Sequence, residues 1–202
     1  LSLYPTTLLH RRLENMAESN RQLAALVAQL QTSEHNASSG TTTEGGYQSK
    51  DDLFQREHSA LAILKQHIGE AVQEYSTMLI RQECSRPPAQ VEFMLWGWAV
   101  ALKAGHSQGL HVHPGANISG VYYVAAPPGA LEAGSDDGKI SFYDPRPRAN
   151  MNQLSYQITR HRQAPMPGDM FVFPSWLEHS VAPFKGPGER LCIAFNAKLI
   201  MS

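Results

Sequence analysis

The chain has few of the features that mark secreted or nucleic-acid-binding proteins. Its 202 residues include only two cysteines, and 17 basic residues nearly balance 18 acidic ones. Cys84 and Cys192 are too few for a disulfide-stabilised secreted domain, and their spacing is not that of a CxxC pair. No run of lysine and arginine forms the basic face that nucleic acid attracts. We therefore expect a protein of a reducing compartment without a nucleic-acid partner.

Long hydrophobic runs are also absent. No apolar stretch approaches the roughly 18–20 residues that span a bilayer, and the first residues lack the basic-then-apolar order of a signal peptide. These features predict a cytoplasmic protein with no membrane partner. With 42% hydrophobic residues the chain can build one sizeable core, since domains typically hold about 100–200 residues. We expect a single domain over residues 1–202.

The N-terminal part, residues 1–88, carries a helical pattern. Between residues 11 and 30 the apolar positions recur every three or four residues, which predicts a first helix with one buried face. The segment 32–50 that follows is small, polar and rich in glycine. Such a segment offers little apolar area to offset the entropy lost on ordering, so it predicts a mobile loop.

A second helix is predicted after this loop. Ser49 with Asp52 three residues later has the spacing of a capping box, and apolar residues then recur with helical spacing as far as Leu79. The pair Pro87-Pro88 is expected to end this helix, because proline removes a backbone donor and disfavours helical geometry in the residue before it.

The remaining part, residues 89–202, contains short segments rich in β-branched and aromatic residues, separated by Gly, Pro, Asn and Asp. This pattern predicts an antiparallel sandwich or barrel. Together with the helices it indicates an α+β fold, mainly β, in which the two helices pack on one sheet. The predicted strands are VEFMLWGWAVALK, ISGVYYVA, KISFYD, LSYQIT, DMFVFP and RLCIAFNAKLI.

The stretch HVHPGANISGVYYV begins with two histidines, His111 and His113, ahead of an apolar run. Residues i and i+2 of a strand face the same side, so both imidazoles can point at one metal ion. In FPSWLEHSV, His179 lies in a second strand-like segment that antiparallel pairing can bring opposite the first pair. We interpret these three as metal ligands. Six other histidines are interpreted as surface, loop or core residues: His10, His35, His58, His67, His106 and His161.

Arg190 opens the apolar strand RLCIAFN. An arginine that rises from a buried strand requires an anionic partner to offset its desolvation, and the carboxylate of a ligand would satisfy it. The alternatives are a salt bridge with Glu189 or Asp144, or simple exposure at the strand end. Asn196, six residues further on, has the parity to face the same side and to reach a substrate or a metal-bound ligand.

Several other side chains near these motifs are given a structural interpretation. Trp98, Phe173 and Phe195 are predicted to be core aromatics, while Trp176 is the aromatic residue most suited to form a wall of a substrate entrance. Tyr122 and Tyr123 are adjacent in one strand and so face opposite sides. In the stretch DPRPR, Arg146 and Arg148 are interpreted as solvated loop residues.

The sequence resembles a largely uncharacterised group of iron(II)- and 2-oxoglutarate-dependent oxygenases. The resemblance is carried by W-x-V near Trp98, HVHPGANISGVYYV, DPR, PGDMFVFPSWLEH and ERLCIAFN. It implies a double-stranded β-helix, the jelly roll, with iron(II) bound inside the mouth between the two sheets. It also implies 2-oxoglutarate and dioxygen as co-substrates, with succinate and carbon dioxide formed while a small-molecule or peptide side-chain substrate of unknown identity is hydroxylated.

The resemblance also implies roles for individual residues. His111 and His179 match two iron ligands, while Arg190 and Tyr123 match the pair that holds the far carboxylate of 2-oxoglutarate. His113 stands where most related enzymes carry a carboxylate ligand. We keep His113 as the third ligand, and we consider three carboxylates less suited to that position: Asp144, Asp169 and Glu178.

Two other functions remain open at the level of the sequence. Three histidines also bind iron in dioxygenases of the cupin kind that act on thiols without 2-oxoglutarate. A jelly roll can alternatively be a non-catalytic, metal-containing binding module.

Overall fold

The computed structural model describes residues 5–36, 42–83, 91–132, 134–148, 151 and 158–200. Two α-helices precede most of the strands. In chain order the elements are β1 (Leu9–Arg12), α1 (Ala17–Ser33), β2 (Thr43–Glu44), β3 (Tyr47–Gln48), α2 (Ser59–Glu83), β4 (Glu92–Leu102), β5 (Ser107–His111), β6 (Ile118–Ala125), β7 (Ile140–Tyr143), β8 (Arg160–Gln163), β9 (Asp169–Pro174), β10 (His179–Val181) and β11 (Arg190–Ile200).

The strands form two antiparallel sheets. The larger sheet has the order β1-β9-β6-β11-β4-β3 and the smaller sheet the order β2-β5-β10-β7-β8. The longest pairing joins β11 to β4 from Arg190 opposite Leu102 to Ile200 opposite Glu92. From β4 to β11 the chain alternates between the two sheets, except that the consecutive strands β7 and β8 pair within the smaller sheet. This is the predicted jelly roll, so the predicted fold class is confirmed.

Each face of the larger sheet belongs to a different apolar cluster. One face packs against both helices, with Leu23 of α1 and Leu64 of α2 in the same cluster as Tyr122. The other face points between the sheets, where Tyr123 and Phe142 belong to the second cluster. The predicted opposite orientation of the two tyrosines and the placement of the helices on one sheet are both observed.

The predicted start of the first helix is wrong. Residues 11 and 12 belong to β1, which pairs with β9, and α1 begins only at Ala17. Exposure alternates along β1, and Arg12 donates to Asp169 of β9 at 2.9 Å. Cross-strand pairing therefore determines the conformation here, although the apolar spacing is compatible with a helix.

The predicted capping box is also wrong. The hydroxyl of Ser49 accepts the backbone N–H of Ala99 in β4 at 2.9 Å instead of capping a helix, and α2 begins at Ser59. The segment predicted as a loop contains the two short strands β2 and β3, while its mobility stays a prediction. Pro87-Pro88 lies outside the described residues. No helix that the structure describes is long and apolar enough to cross a membrane.

Five of the six predicted strand segments coincide with strands β4, β6, β7, β9 and β11. For the sixth, LSYQIT, residues 154–157 lie outside the described part of the chain. The strand at this edge of the smaller sheet is β8, which begins at Arg160, just after that segment, and pairs with β7.

Candidate metal and co-substrate site

The fold brings the three predicted histidines together. Antiparallel pairing of β10 with β5 places His179 directly opposite His111. His113 lies two residues beyond the end of β5, where its backbone N–H donates to the carbonyl of Ser175 at 2.9 Å. The potential ligand nitrogens of the three side chains lie within 4.8 Å of one another. The position of His113 is therefore set by the loop that follows β5 and not by the strand itself.

Hydrogen bonds fix the tautomers of two of these rings. Nδ1 of His111 lies 2.7 Å from the carbonyl oxygen of Gly109, and Nδ1 of His179 lies 2.8 Å from that of Leu177. A carbonyl oxygen only accepts, so Nδ1 carries the hydrogen in both rings and Nε2 keeps its lone pair for a metal.

The spacing of the ring nitrogens also fits a shared ion. Nε2 of His113 is 3.2 Å from Nε2 of His179. Two imidazoles bound at right angles, each about 2.1 Å from one metal ion, would have nitrogens about 3.0 Å apart. The His113 ring also lies beside Trp98, with the ring centroids 5.6 Å apart. This contact helps to position the His113 side chain, because the His113 backbone lies beyond the end of β5.

The surroundings keep the imidazoles neutral, which is the form that binds a metal. Burial lowers the pKa of His111. Burial, together with the neighbouring His111, lowers the pKa of His113 to about 4 and that of His179 to about 3. Imidazole is a suitable ligand for iron, and also for zinc, copper and nickel.

None of the carboxylates considered as alternative ligands joins this cluster. Among the described residues, the metal-ligating groups close enough to share one ion are the three histidines alone. Asp144 is paired with Arg146, and Asp169 with Arg12 on the edge strand β1. Glu178 precedes His179 in the chain and lines a cavity on the outer side of the smaller sheet.

Arg190 is a buried cation without an acidic partner among the described residues. Its side chain is buried within the jelly roll, with 1% of the residue exposed. Nε donates to the carbonyl of Gly138 at 3.0 Å, while the other nitrogens contact Cys192 and the hydroxyl of Tyr123 at 3.4 and 3.3 Å. Such a charge is unfavourable in the interior unless an anion neutralises it.

The alternatives proposed for Arg190 are not observed. Glu189 accepts a hydrogen bond from Gln31, and Asp144 forms its salt bridge with Arg146. Exposure at the strand end does not describe the residue either, because it is buried. Burial raises the pKa of Tyr123 to about 12, so its hydroxyl stays protonated and can donate to a ligand carboxylate beside Arg190.

Asn196 lies at a different level of the interior. The hydroxyl of Ser119 donates to its Oδ1 at 2.6 Å, which leaves the side-chain NH₂ group for other partners. Six strand residues separate Asn196 from Arg190, a distance of about 20 Å. Asn196 is therefore placed for substrate or for a metal-bound ligand rather than for the tail that Arg190 would hold, and its role stays a prediction.

A cavity of about 1010 Å³ opens beside the histidines. His111 and His113 line it together with Asn196, Trp96 and Trp98. The sequence did not single out Trp96 or the Ser119 hydroxyl. Strand parity would have found both, since Trp96 and Ser119 lie opposite Asn196 on the two neighbouring strands.

Residues 97–196 match the model of a family described as "Putative 2OG-Fe(II) oxygenase". The matched stretch contains the three histidines, Arg190, Tyr123 and Asn196. Among curated protein sequences, none matches the chain.

Solved structures with the same fold are numerous. A prolyl-4-hydroxylase from Pseudomonas putida is 17% identical, with a TM-score of 0.60 over 96% of this chain and 92% of that one. A prolyl hydroxylase from Trichoplax adhaerens, in complex with a hypoxia inducible factor peptide, is 14% identical, with a TM-score of 0.63 over 96% and 84%. HygX from Streptomyces hygroscopicus, with nickel and 2-oxoglutarate bound, is also 14% identical, with a TM-score of 0.56 over 96% and 83%.

The family match over residues 97–196 indicates an Fe(II)/2-oxoglutarate-dependent dioxygenase, and the solved structures show the same jelly-roll fold. Iron(II) is its metal, and 2-oxoglutarate and dioxygen are its co-substrates. Residues 97–196 are similar to the family named above. The three-histidine cluster fits the iron chemically, because its imidazoles are neutral and their ligand nitrogens lie within 4.8 Å of one another.

Proposed function

We propose that this protein is a hydroxylase that oxidises a C–H bond of its substrate while it converts 2-oxoglutarate to succinate and carbon dioxide. The observation that carries the proposal is Arg190, which is buried in the same interior as the three histidines and has no carboxylate partner among the described residues. A dicarboxylate that binds the metal at one end can neutralise this guanidinium at the other.

In this proposal His111, His113 and His179 hold the iron on one side and leave its remaining positions for ligands. Three neutral imidazoles leave the full double charge of the ion in place. Together with Arg190, they create a site of high positive charge, which favours a dianion such as 2-oxoglutarate. When bound, the iron supplies the oxidative chemistry that the side chains themselves lack.

Arg190 and Tyr123 would bind the distal carboxylate of the co-substrate. Gly138 orients the guanidinium through its contact with Nε at 3.0 Å, so the outer nitrogens are presented to the ligand. Phe173 packs edge-on against His179, with ring centroids 4.9 Å apart, which excludes water from the interior side of the site.

The substrate would enter through the cavity beside the histidines. Trp96 and Trp98 offer apolar surfaces, and the side-chain NH₂ group of Asn196 offers a hydrogen-bond donor. We propose a small molecule or a peptide side chain as the substrate, and the cytoplasm as its location. This location is supported only by the few cysteines.

Anaerobic titration of the Fe(II)-loaded protein with 2-oxoglutarate tests the proposal. A weak visible charge-transfer band is expected as the co-substrate chelates the metal, and it should be lost in His179→Ala. Arg190→Ala should keep the iron and weaken the affinity for 2-oxoglutarate. If the loaded protein gives no band and has no affinity for 2-oxoglutarate, the proposed function is wrong.

One observation favours a second candidate. The metal cluster contains three histidines and no carboxylate among the described residues, as in iron dioxygenases that oxidise thiols without 2-oxoglutarate. Oxygen uptake that depends on an added thiol and not on 2-oxoglutarate would favour this function. Uptake with neither compound would leave a metal-containing binding module.

A further inference from the structure

A second cavity, of about 1000 Å³, lies close to the metal centre but opens on the outer face of the smaller sheet. It is formed by the end of β7, by β8 and by the loop that leads into β10. Four arginines line it, together with Tyr143, Trp176 and Glu178. The arginines are Arg146, Arg148, Arg160 and Arg162.

This cavity and the first one are separated by a rim formed by Val112. Val112 lines both cavities, and it stands between His111 and His113 in the chain. Trp176 precedes His179 by three residues, and 54% of its surface is exposed on the outer side. A molecule that crosses Val112 therefore reaches both the metal side and the arginine-lined side.

Two of the arginines form a pair on one face of a strand. Arg160 and Arg162 are alternate residues of β8 and lie opposite Tyr143 and Ser141 of β7. Since alternate residues of a strand face the same side, both side chains project from the outer face of the smaller sheet, from backbone positions about 7 Å apart along β8. Guanidiniums in this arrangement can bind one anion from two directions.

Carboxylates neutralise these arginines only in part. Asp136 contacts both members of the pair, at 3.5 Å from Arg160 and 3.1 Å from Arg162. One carboxylate thus serves two guanidiniums. Asp136 is itself exposed, so the contacts are screened by solvent and an incoming anion can replace them.

The other charged residues of the cavity leave an excess of positive charge. Arg146 is paired with Asp144, and Arg148 and Glu178 complete the charged lining. Four guanidiniums therefore face three carboxylates when Asp136 is included. Tyr143 adds a polar edge, since its hydroxyl lies 3.0 Å from that of Ser180, and Trp176 adds an exposed aromatic surface.

We infer that this second cavity is the subsite for an anionic group of the substrate, a carboxylate or a phosphate, held by Arg160 and Arg162 beside Trp176. The inference rests on the proposed function, because it assigns the subsite to the substrate of the same metal centre. The substrate is then an elongated molecule that crosses Val112, with its reactive carbon at the metal and its anionic group outside the rim.

The subsite can be tested without the natural substrate. The three tryptophans give three indole N–H signals in a proton–nitrogen NMR spectrum, and Trp176→Phe assigns the one of interest. The probes are inorganic phosphate, a hexaglutamate peptide and, as an uncharged control, hexaglutamine. The Trp176 signal is expected to shift with phosphate and with hexaglutamate and not with hexaglutamine.

Variants of the arginine pair locate the binding. Arg160→Ala with Arg162→Ala should weaken hexaglutamate binding at least tenfold, and the double lysine variant should give an intermediate affinity because it keeps the charges without the planar fork. The matched control is Arg21→Ala with Arg81→Ala, two exposed arginines on α1 and α2. It removes the same total charge and should leave the affinity unchanged.

The affinities for the two anionic probes show whether the anionic group belongs to a polypeptide or to a phosphorylated small molecule. Tighter binding of hexaglutamate than of phosphate favours an acidic polypeptide, and the reverse order favours a phosphorylated small molecule. Unchanged Trp176 signals with both anions, or equal affinities in the alanine pair and the parent protein, would overturn the inference. The 2-oxoglutarate charge-transfer band, measured on the same variants, should persist, so loss of the subsite and failure of the proposed function give different results.

Discussion

At the scale of single residues, His113 distinguishes this site from one with two histidines and a carboxylate. Replacement of His113 by aspartate would restore the more usual ligand set in the same loop. We expect His113→Asp to keep Fe(II) and to bind 2-oxoglutarate about tenfold more weakly, since the added negative charge lies next to an incoming dianion. Metal content and the charge-transfer titration measure the two effects separately.

Two other histidine substitutions are the controls for this prediction. His113→Ala removes a ligand without replacing it and should lose Fe(II) affinity by at least a hundredfold. His161→Ala changes an exposed histidine on the edge strand β8 and should alter neither quantity. Full iron affinity in His113→Ala would show that His113 is not a ligand.

Arg190 illustrates a conflict between stability and binding. Its charge is buried without a carboxylate partner among the described residues. Replacement of an unneutralised buried charge by an apolar side chain of similar length removes a desolvation penalty. We expect Arg190→Met to raise the free energy of unfolding of the ligand-free protein by about 1–2 kcal/mol, and to lower the affinity for 2-oxoglutarate at least a hundredfold.

Urea denaturation without ligand and the anaerobic titration measure these two changes. Arg190→Lys is the matched control, because it keeps the charge and loses the planar fork. It should leave the stability close to that of the parent protein and bind 2-oxoglutarate with intermediate affinity. Unchanged 2-oxoglutarate affinity in Arg190→Met would remove the co-substrate role from this residue.

At the scale of elements, local patterns predicted the strands better than the helix starts. Strands β4, β6, β9 and β11 coincide with apolar runs bounded by turn residues. A strand that is buried on both faces consists mainly of apolar residues, so its composition alone reveals it. The start of α2 was misplaced because Ser49 bonds to β4, a partner 50 residues away that no local pattern reveals. The same holds for β1, whose partner β9 is more than 150 residues distant.

The site was predictable to a similar extent. Strand parity and chain order indicated His111, His179 and Arg190, because each lies on or at the end of a regular strand. The position of His113 beyond β5 depends on the backbone bond to Ser175 and on the ring of Trp98. The arginine-lined cavity depends on pairing between β7 and β8, which brings Arg160 and Arg162 to the same surface as Arg146 and Arg148, the two arginines that we interpreted as solvated loop residues.

Close packing of β6 against its neighbours gives a prediction at this scale. A Cβ added at Gly120 would lie 2.1 Å from the Phe195 ring and 2.7 Å from the carbonyl oxygen of Phe171. Both neighbours belong to buried strands and cannot move freely. We expect Gly120→Ala to lower the free energy of unfolding by about 1–3 kcal/mol, measured by urea denaturation.

A second glycine supplies the control for this substitution. Gly69 lies within α2, and a Cβ there would meet no atom within 4 Å. Since alanine is the better helix former, Gly69→Ala should raise the stability by about 0.5–1 kcal/mol. Equal effects of the two substitutions would show that the contact with Phe195 does not limit the packing of the larger sheet.

At the scale of the whole molecule, buried tyrosine hydroxyls join the helices to the larger sheet. Tyr122 of β6 donates to Asn20 of α1 at 2.7 Å, and Tyr75 of α2 donates at 2.7 Å to the carbonyl of Thr7, which lies two residues before the edge strand β1. Burial raises the pKa of Tyr122 to about 12 and also raises that of Tyr75. The contact between helices and sheet therefore depends on hydroxyl groups that remain protonated in the folded protein.

This arrangement predicts a loss of stability at high pH. An unfolded tyrosine ionises near pH 10, whereas folded Tyr122 keeps its proton to about pH 12. Above pH 10 the unfolded state binds fewer protons than the folded state, so the free energy of unfolding falls as the pH rises. The contribution of Tyr122 is fully present below pH 10, and about 2 kcal/mol of it should be lost by pH 12.

Two substitutions separate ionisation from the hydrogen bond. Tyr122→Phe cannot ionise, so its stability deficit relative to the parent protein, measured by urea denaturation at pH 8, 10, 11 and 12, should shrink or reverse as the pH rises. Asn20→Ala removes the same hydrogen bond and keeps the ionisable group, so its deficit should not shrink. Parallel curves for Tyr122→Phe and the parent protein would mean that Tyr122 ionises equally in both states, and that the helices are not fixed to the sheet through a protected hydroxyl.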